Sequence, residues 1–333
     1  MKKIGITTTV PIEVLYAAGY QVVDLNNLFI VSKEYEKYIE FAERDGFPKS
    51  MCAWIKGIYG ACILNEIHEV VAVVEGDCSN TKALGELLST HGIMLHPFSY
   101  PTAHTIEEVK KSLDEFMVHF GVSYEQVEEE RQKLMTVRKL AKEIDRRTYE
   151  QNQVTGFENH ILQLCMSDFD GNDTAYEAML QNKLEEIKVR QPLKEQVRLA
   201  YIGVPPMTGD LFEFVEKQQC RIVYNEVQRE FAFPKSEHQT NIYEQYYDYT
   251  YPYDVHTRLK EIKKQIELRQ IDGIIHYTQA FCHRALNHLV FQKELELPII
   301  QIEGDKLNKL DARTKLRLEA FVDMIRDLKD AKK

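Results

Sequence analysis

The chain has 333 residues, room for two domains with substantial cores. Hydrophobic residues make up 44% and charged residues 28%, ordinary for a soluble globular protein, and no run approaches the roughly 18 consecutive apolar residues of a membrane span. The net charge of −10 argues against general nucleic-acid binding, and six cysteines with no C-x-x-C pair exclude a disulfide scaffold, so any metal site must draw on distant parts of the chain.

In chain order, "KIGITT" (3–8) reads as a strand. The two lysines at residues 2 and 3 are followed by no long apolar stretch, so the start reads as the first strand of the fold rather than a signal peptide, and a cytoplasmic location is expected. "PIEVLYAAG" (11–19) reads as a helix, with Pro11 at its start and Gly19 at its end. "QVVDL" (21–25) is the next strand, 50–67 a helix, 70–74 a β-branched strand, 81–90 a helix and "GIMLHPF" (92–98) a strand. Strand and helix in alternation predict a parallel sheet.

From about Thr105 to Val197 the pattern is long, charged and helical in period, with almost no strand signal. Alternation resumes with strand "VRLAYIGVPP" (197–206), helix 210–218 and strand "CRIVYNEV" (220–227). An aromatic loop, "EQYYDYTYPYD" (244–254), interrupts it. Helix 255–269, strand 272–278, helix 282–295, strand 298–304 and a last helix over about 311–330 close the chain. The division expected is an N-terminal α/β domain (1–104), a helical segment (105–196) and a C-terminal α/β domain (197–333). The two α/β parts run alike: strand, proline-led turn, helix, strand, then an acid at the strand end, Asp24 or Glu226.

The comparison singles out three cysteines. Cys78 follows one strand and precedes a helix, and Cys282 does the same in the second part. Cys52 lies just after Ser50, near the start of helix 50–67. A helix N-terminus favours thiolate over thiol, and ligands of open α/β sheets bind beyond the carboxyl ends of strands. If the two domains face each other across a cleft, the three thiols converge. Such a set suits a soft metal or an iron–sulfur cluster. His283 and His288, near Cys282, leave a zinc site open as an alternative. Cys62, Cys165 and Cys220 read as inert core residues.

At these residues the chain resembles the 2-hydroxyacyl-CoA dehydratase and benzoyl-CoA reductase family, in particular the smaller cluster-bearing subunit. The resemblance rests on "VPIEVLYAAGYQVVDL", on "MCAWIKG" with Cys52 and Lys56, and on "VVAVVEGDCSN" with Cys78. It continues in "IDGIIHYTQAFCH" with Cys282, "LPIIQIEGD" and "LRLEAF". It implies two flavodoxin-like (Rossmann-like) α/β domains with a helical segment between them. It implies that Cys52, Cys78 and Cys282 hold a 4Fe-4S cluster with one iron free of protein thiolate. The partners implied are an activator ATPase with its own cluster, and either a related second subunit or a second copy. The chemistry implied is one-electron reduction of an acyl-CoA thioester, formation of a ketyl radical and loss of the 2-hydroxyl as water. Lys56, four residues after Cys52 on one helix face, would offset the cluster's negative charge. Tyr59 and the aromatic loop are expected to line the cleft. Relatives with a double-cubane cluster carry further cysteines where this chain has "YNEVQRE" and "DYTYPYD", so a single cubane is expected. Other readings are a low-potential reductase of the same family with another small substrate, a cluster-carrying electron-transfer protein with no substrate of its own, and a structural zinc protein.

Overall fold

Strand and helix alternate through most of the computed structural model, which describes residues 2–305 and 309–331. The chain divides into two units. Unit 1 takes Met1–Leu140, Leu164–Gln181 and Glu230–Asp254; unit 2 takes Ala141–Gln163, Asn182–Arg229 and Val255–Lys333. The stretch read as a helical segment is thus shared between the two.

The first α/β run contains β1 (Lys2–Ile6), α1 (Ile12–Ala17), β2 (Tyr20–Asp24), α2 (Leu25–Ile30) and α3 (Tyr35–Arg44). It continues with α4 (Ala53–Leu64), β3 (Glu69–Glu75), α5 (Thr81–Thr90), β4 (Met94–Ser99) and α6 (Ile106–Phe120). Then come α7 (Tyr124–Tyr149), α8 (Gly156–Leu164), two 3-10 turns (Cys165–Ser167 and Phe169–Gly171) and α9 (Asp173–Lys188). The second run holds β5 (Val197–Gly203), α10 (Leu211–Lys217), β6 (Cys220–Asn225), α11 (Glu226–Phe231) and α12 (Ile242–Tyr247). It ends with α13 (Val255–Arg269), β7 (Gly273–Gln279), a 3-10 turn (His283–Leu286), α14 (Asn287–Glu294), β8 (Ile299–Gly304) and α15 (Ala312–Asp330).

Each unit is built on a four-stranded sheet, ordered β2-β1-β3-β4 and β6-β5-β7-β8. Every pairing in both is parallel. The two orders are the same, so the repeat seen in the sequence is a repeat of topology, and the fold is two flavodoxin-like α/β sheets. In each, the strand order reverses between the first and third strands of the unit, and the loops leaving those strands border the crevice where such folds bind ligands.

Burial explains why the strands read as continuous apolar runs. In unit 2, Val197, Leu199 and Tyr201 of β5 pack with α10 and α15 in one cluster. Ala200 and Ile202, pointing the other way, pack with Leu259, Ile262 and Phe291 in another. Both faces are covered, so no polar alternation survives. In unit 1, Leu25, Ile55, Ile58, Tyr59, Val70, Leu84 and Leu88 form the corresponding cluster.

Helices α3 and α4 cross where Gly60 leaves no room: a Cβ there would run into the Tyr38 backbone. Gly60→Ala is expected to lower stability by about 1–3 kcal/mol through overpacking. Urea denaturation measures this, and an unchanged midpoint would mean that the two helices part without cost.

Two details depart from the sequence reading. The helix expected over 282–295 is a 3-10 turn followed by α14. The aromatic loop 244–254 begins inside α12, whose first turn is capped by Asn241 accepting from the Glu244 N–H at 3.0 Å.

Candidate functional site

Cys78 owes its position to the turn before it. Gly76 has φ +90°, and a Cβ there would lie 2.8 Å from Cβ of Tyr100. Only glycine fits both conditions, so β3 can bend sharply into the Cys78 loop. The Asn80 N–H points at Cys78 Sγ at 3.4 Å, and the Thr81 N–H closes on the Cys78 carbonyl at 3.0 Å. Tyr251 of the aromatic loop donates to Asp77 Oδ1 at 3.0 Å, and Pro252 packs at Gly76. In unit 1 that loop therefore closes over the turn that carries Cys78. Sequence spacing gave no sign of this contact between residues 174 apart.

Cys282 repeats the arrangement in unit 2. Each of these cysteines stands three residues beyond the end of its strand, at Glu75 or at Gln279. In place of glycine, Phe281 occupies the left-handed region at φ +65°, which costs a side-chain-bearing residue roughly 1–2 kcal/mol. The Cys282 N–H donates to the Gln279 carbonyl at 3.0 Å, and the Cys282 carbonyl accepts from Ala285 N–H at 3.1 Å. Cys282 is the N-cap residue of the 3-10 turn.

Cys52 is the N-cap residue of α4. It is buried in the apolar cluster of unit 1, against which Cys78 also packs. Unit 1 thus brings Cys52 and Cys78 to the same cluster, while Cys282 belongs to unit 2. Among the described residues, no group of three or more His, Cys, Asp or Glu side chains is gathered as a metal site.

The other cysteines differ in chemistry. Burial pushes the Cys62 thiol up to about 12, and its Sγ donates to the Ile67 carbonyl at 3.6 Å. Burial, with Asp168 and Asp170 nearby, pushes Cys165 up to about 12, and burial takes Cys220 to about 11. All three are protonated at neutral pH and are poor metal ligands in that form. Of Cys52, Cys78 and Cys282, the first and last are N-cap residues, and the Sγ of Cys78 receives a backbone N–H.

Lys56 is buried, and its ammonium donates to Glu43 Oε1 at 2.7 Å and reaches the Lys49 carbonyl at 3.5 Å. Tyr59 is also buried, and its hydroxyl bonds Asp45 and lies 2.7 Å from His91 Nε2. His288 faces His276, Nδ1 to Nδ1 at 3.2 Å, and burial depresses both imidazoles. Burial and Arg284 depress His283.

No helix among the described residues is long and apolar enough to cross a membrane. No curated protein matches the chain as a relative. The profile of the 2-hydroxyglutaryl-CoA dehydratase D-component family matches residues 7–325. That match covers every strand but β1 and all three strand-end and helix-start cysteines, and the chain belongs to this family of 2-hydroxyacyl-CoA dehydratase components.

Proposed function

We propose that the chain is the iron–sulfur subunit of an ATP-activated radical 2-hydroxyacyl-CoA dehydratase. In this reading Cys52, Cys78 and Cys282 hold a single 4Fe-4S cluster. The observation that carries it is the repeated placement of Cys78 and Cys282, each three residues past its strand, with Cys52 starting α4. Binding requires Cys282 of unit 2 to meet Cys52 and Cys78 of unit 1. When bound, the cluster would supply one electron to the thioester carbonyl and an iron site open to a substrate oxygen.

The chain's own residues would prepare the site. The dipole of α4 favours the Cys52 thiolate. Lys56, one turn further along α4 and shut away from solvent, carries a positive charge that is paired with Glu43 at 2.7 Å. The Tyr251–Asp77 bond holds the Cys78 turn. The substrate class is an acyl-CoA. The partners are an activator ATPase with its own cluster and a second subunit, related or identical, in the cytoplasm. The acidic charge is that of a chain with no nucleic-acid partner.

Anaerobic reconstitution is expected to give about four irons per chain, with an EPR signal on reduction. Turnover of a 2-hydroxyacyl-CoA is expected once activator and ATP are added. Zinc in place of iron, or a chain that takes up neither, would overturn the proposal. Iron uptake without turnover would leave a cluster-carrying electron-transfer protein.

A further inference from the structure

The acids at the ends of the second strands, Asp24 and Glu226, sit at matched positions in the two sheets but are neutralised differently. In unit 2, Arg258 grips Glu226 with two bonds, at 2.8 and 2.9 Å, and the Gly203 N–H adds a third at 2.9 Å. In unit 1, the backbone N–H of Asp24 meets the carboxyl of a second acid, Asp168, and both side chains are buried. Asp168 Oδ2 accepts the Asp24 N–H at 2.8 Å, and Asp168 Oδ1 accepts from Asn27 Nδ2 at 3.2 Å. Asp24 Oδ2 accepts the Ser167 hydroxyl at 2.6 Å, and Asn27 Nδ2 reaches that same hydroxyl at 3.0 Å.

The turn held this way is strained. Phe169 and Asp170, neither a glycine, both lie in the left-handed region, at φ +52° and +51°. Such conformations persist only where the surroundings over-determine them. Here the determinants are the Asp24–Asp168 pair, the Asn27 bonds and the Gln21 amide donating to the Gly171 carbonyl at 3.0 Å.

We propose that Asp24 and Asp168 form a proton-held latch: while the pair keeps its proton it fastens the Phe169–Asp170 turn, and with it residues 164–181, to the end of β2, and when the proton leaves, that segment loosens. Two ionised carboxylates cannot share so dry a site. Asn26 donates to Asp24 Oδ1 at 2.9 and 2.8 Å and the Asp170 N–H to Asp168 Oδ1 at 3.2 Å, but the titratable groups around the pair are mostly acids. Asp170 is on the turn, Asp173 and Tyr176 on α9, Cys165 on the preceding turn, and Tyr16 and Glu13 on α1. Arg138 of α7 also faces Tyr16, but it is paired with Glu13 at 2.6 Å. Burial raises both carboxyls, and burial together with the Asp24 charge pushes Asp168 up to about 7. With folded values above the unfolded ones, the stabilisation is complete at low pH and is lost as pH rises through the folded value.

Hydrogen exchange of the full chain, read as protection factors, tests this. Protection of residues 164–181 is expected to fall several-fold between about pH 6 and about pH 8. Asp24→Asn keeps the bonds: its carbonyl accepts from Asn26, and its amide donates to Ser167, whose hydroxyl turns to the Leu164 carbonyl 3.2 Å away. In that variant the fall should leave the window. Protection that is equal at both pH values in the native chain, or that falls equally in Asp24→Asn, would overturn the latch. Should the variant misfold, infrared spectra of the native chain decide. A protonated-carboxyl band that bleaches across the same window supports the latch, and no such band overturns it.

Discussion

Glu13→Gln is expected to destabilise unit 1 by about 3–5 kcal/mol, the range found when one partner of a buried ion pair is removed. Glu13 is fully buried on α1, and three groups converge on it. Arg138 of α7 donates at 2.6 Å, the Gln245 amide at 2.7 Å and the Tyr246 hydroxyl at 2.8 Å. Burial alone would push the Glu13 carboxyl up, but the Arg138 charge and these bonds hold it below the usual carboxylate range. The glutamine keeps an oxygen for Arg138 and loses the charge. The guanidinium, 1% exposed, is then left with Gln245 Oε1 at 2.9 Å and the Phe233 ring at 4.7 Å. The double variant Glu13→Gln, Arg138→Met removes both charges and should recover part of the loss. Urea midpoints of the single and double variants measure the effect, and a single-variant loss under about 1 kcal/mol would mean that water reaches Arg138. The sign with pH is the reverse of the Asp24–Asp168 pair. A depressed carboxyl stabilises above its unfolded value near 4.3, and the contribution is lost as pH falls through the folded value. Unit 2 has the same device in Arg269, which binds Asp145 Oδ1 at 2.9 Å and holds it, likewise against burial, below the usual range.

Local signals carried the fold. Strand 70–74 was legible because β-branched residues covered on both faces leave an unbroken apolar run, and β3 is Glu69–Glu75. Helices 81–90 and 255–269 came through at their observed bounds, each filled mostly with good helix formers. By contrast, α2, six residues capped by Asp24, gave little sign. The positions of Cys78 and Cys282 after their strands were legible, because a cysteine at such a joint stands out against the apolar run before it. What surrounds them was not. Lys56 reads as a lysine one turn from Cys52, but its partner Glu43 lies on a different helix, α3. Asp24 reads as an acid at a strand end like Glu226, yet where Glu226 meets a guanidinium, the N–H of Asp24 meets a carboxyl 144 positions away. Spacing carries no record of such pairings.

Replacing Cys52, Cys78 or Cys282 singly with alanine is expected to strip or destabilise the cluster and abolish turnover, while Cys165→Ala and Cys220→Ala leave the iron content unchanged. A cubane held by three thiolates has no spare ligand, so each loss opens a second iron. The three sites differ in what else they lose. Cys78 and Cys282 are half-buried, so their alanine variants should keep the native urea midpoint without cluster. Cys52 packs inside the unit 1 core, and removing its sulfur should also cost about 1 kcal/mol of packing. Cys62 provides the sharper control. It is fully buried and its thiol is held protonated by burial, so Cys62→Ala should lower stability through a cavity and keep its iron. A second cubane would need about three further thiolates, and the three cysteines that remain are all held as thiols by burial. Iron near eight per chain, or loss of iron when Cys62 is changed together with Cys165 or Cys220, would show that burial does not keep those sulfurs from ligating and that a larger cluster is present.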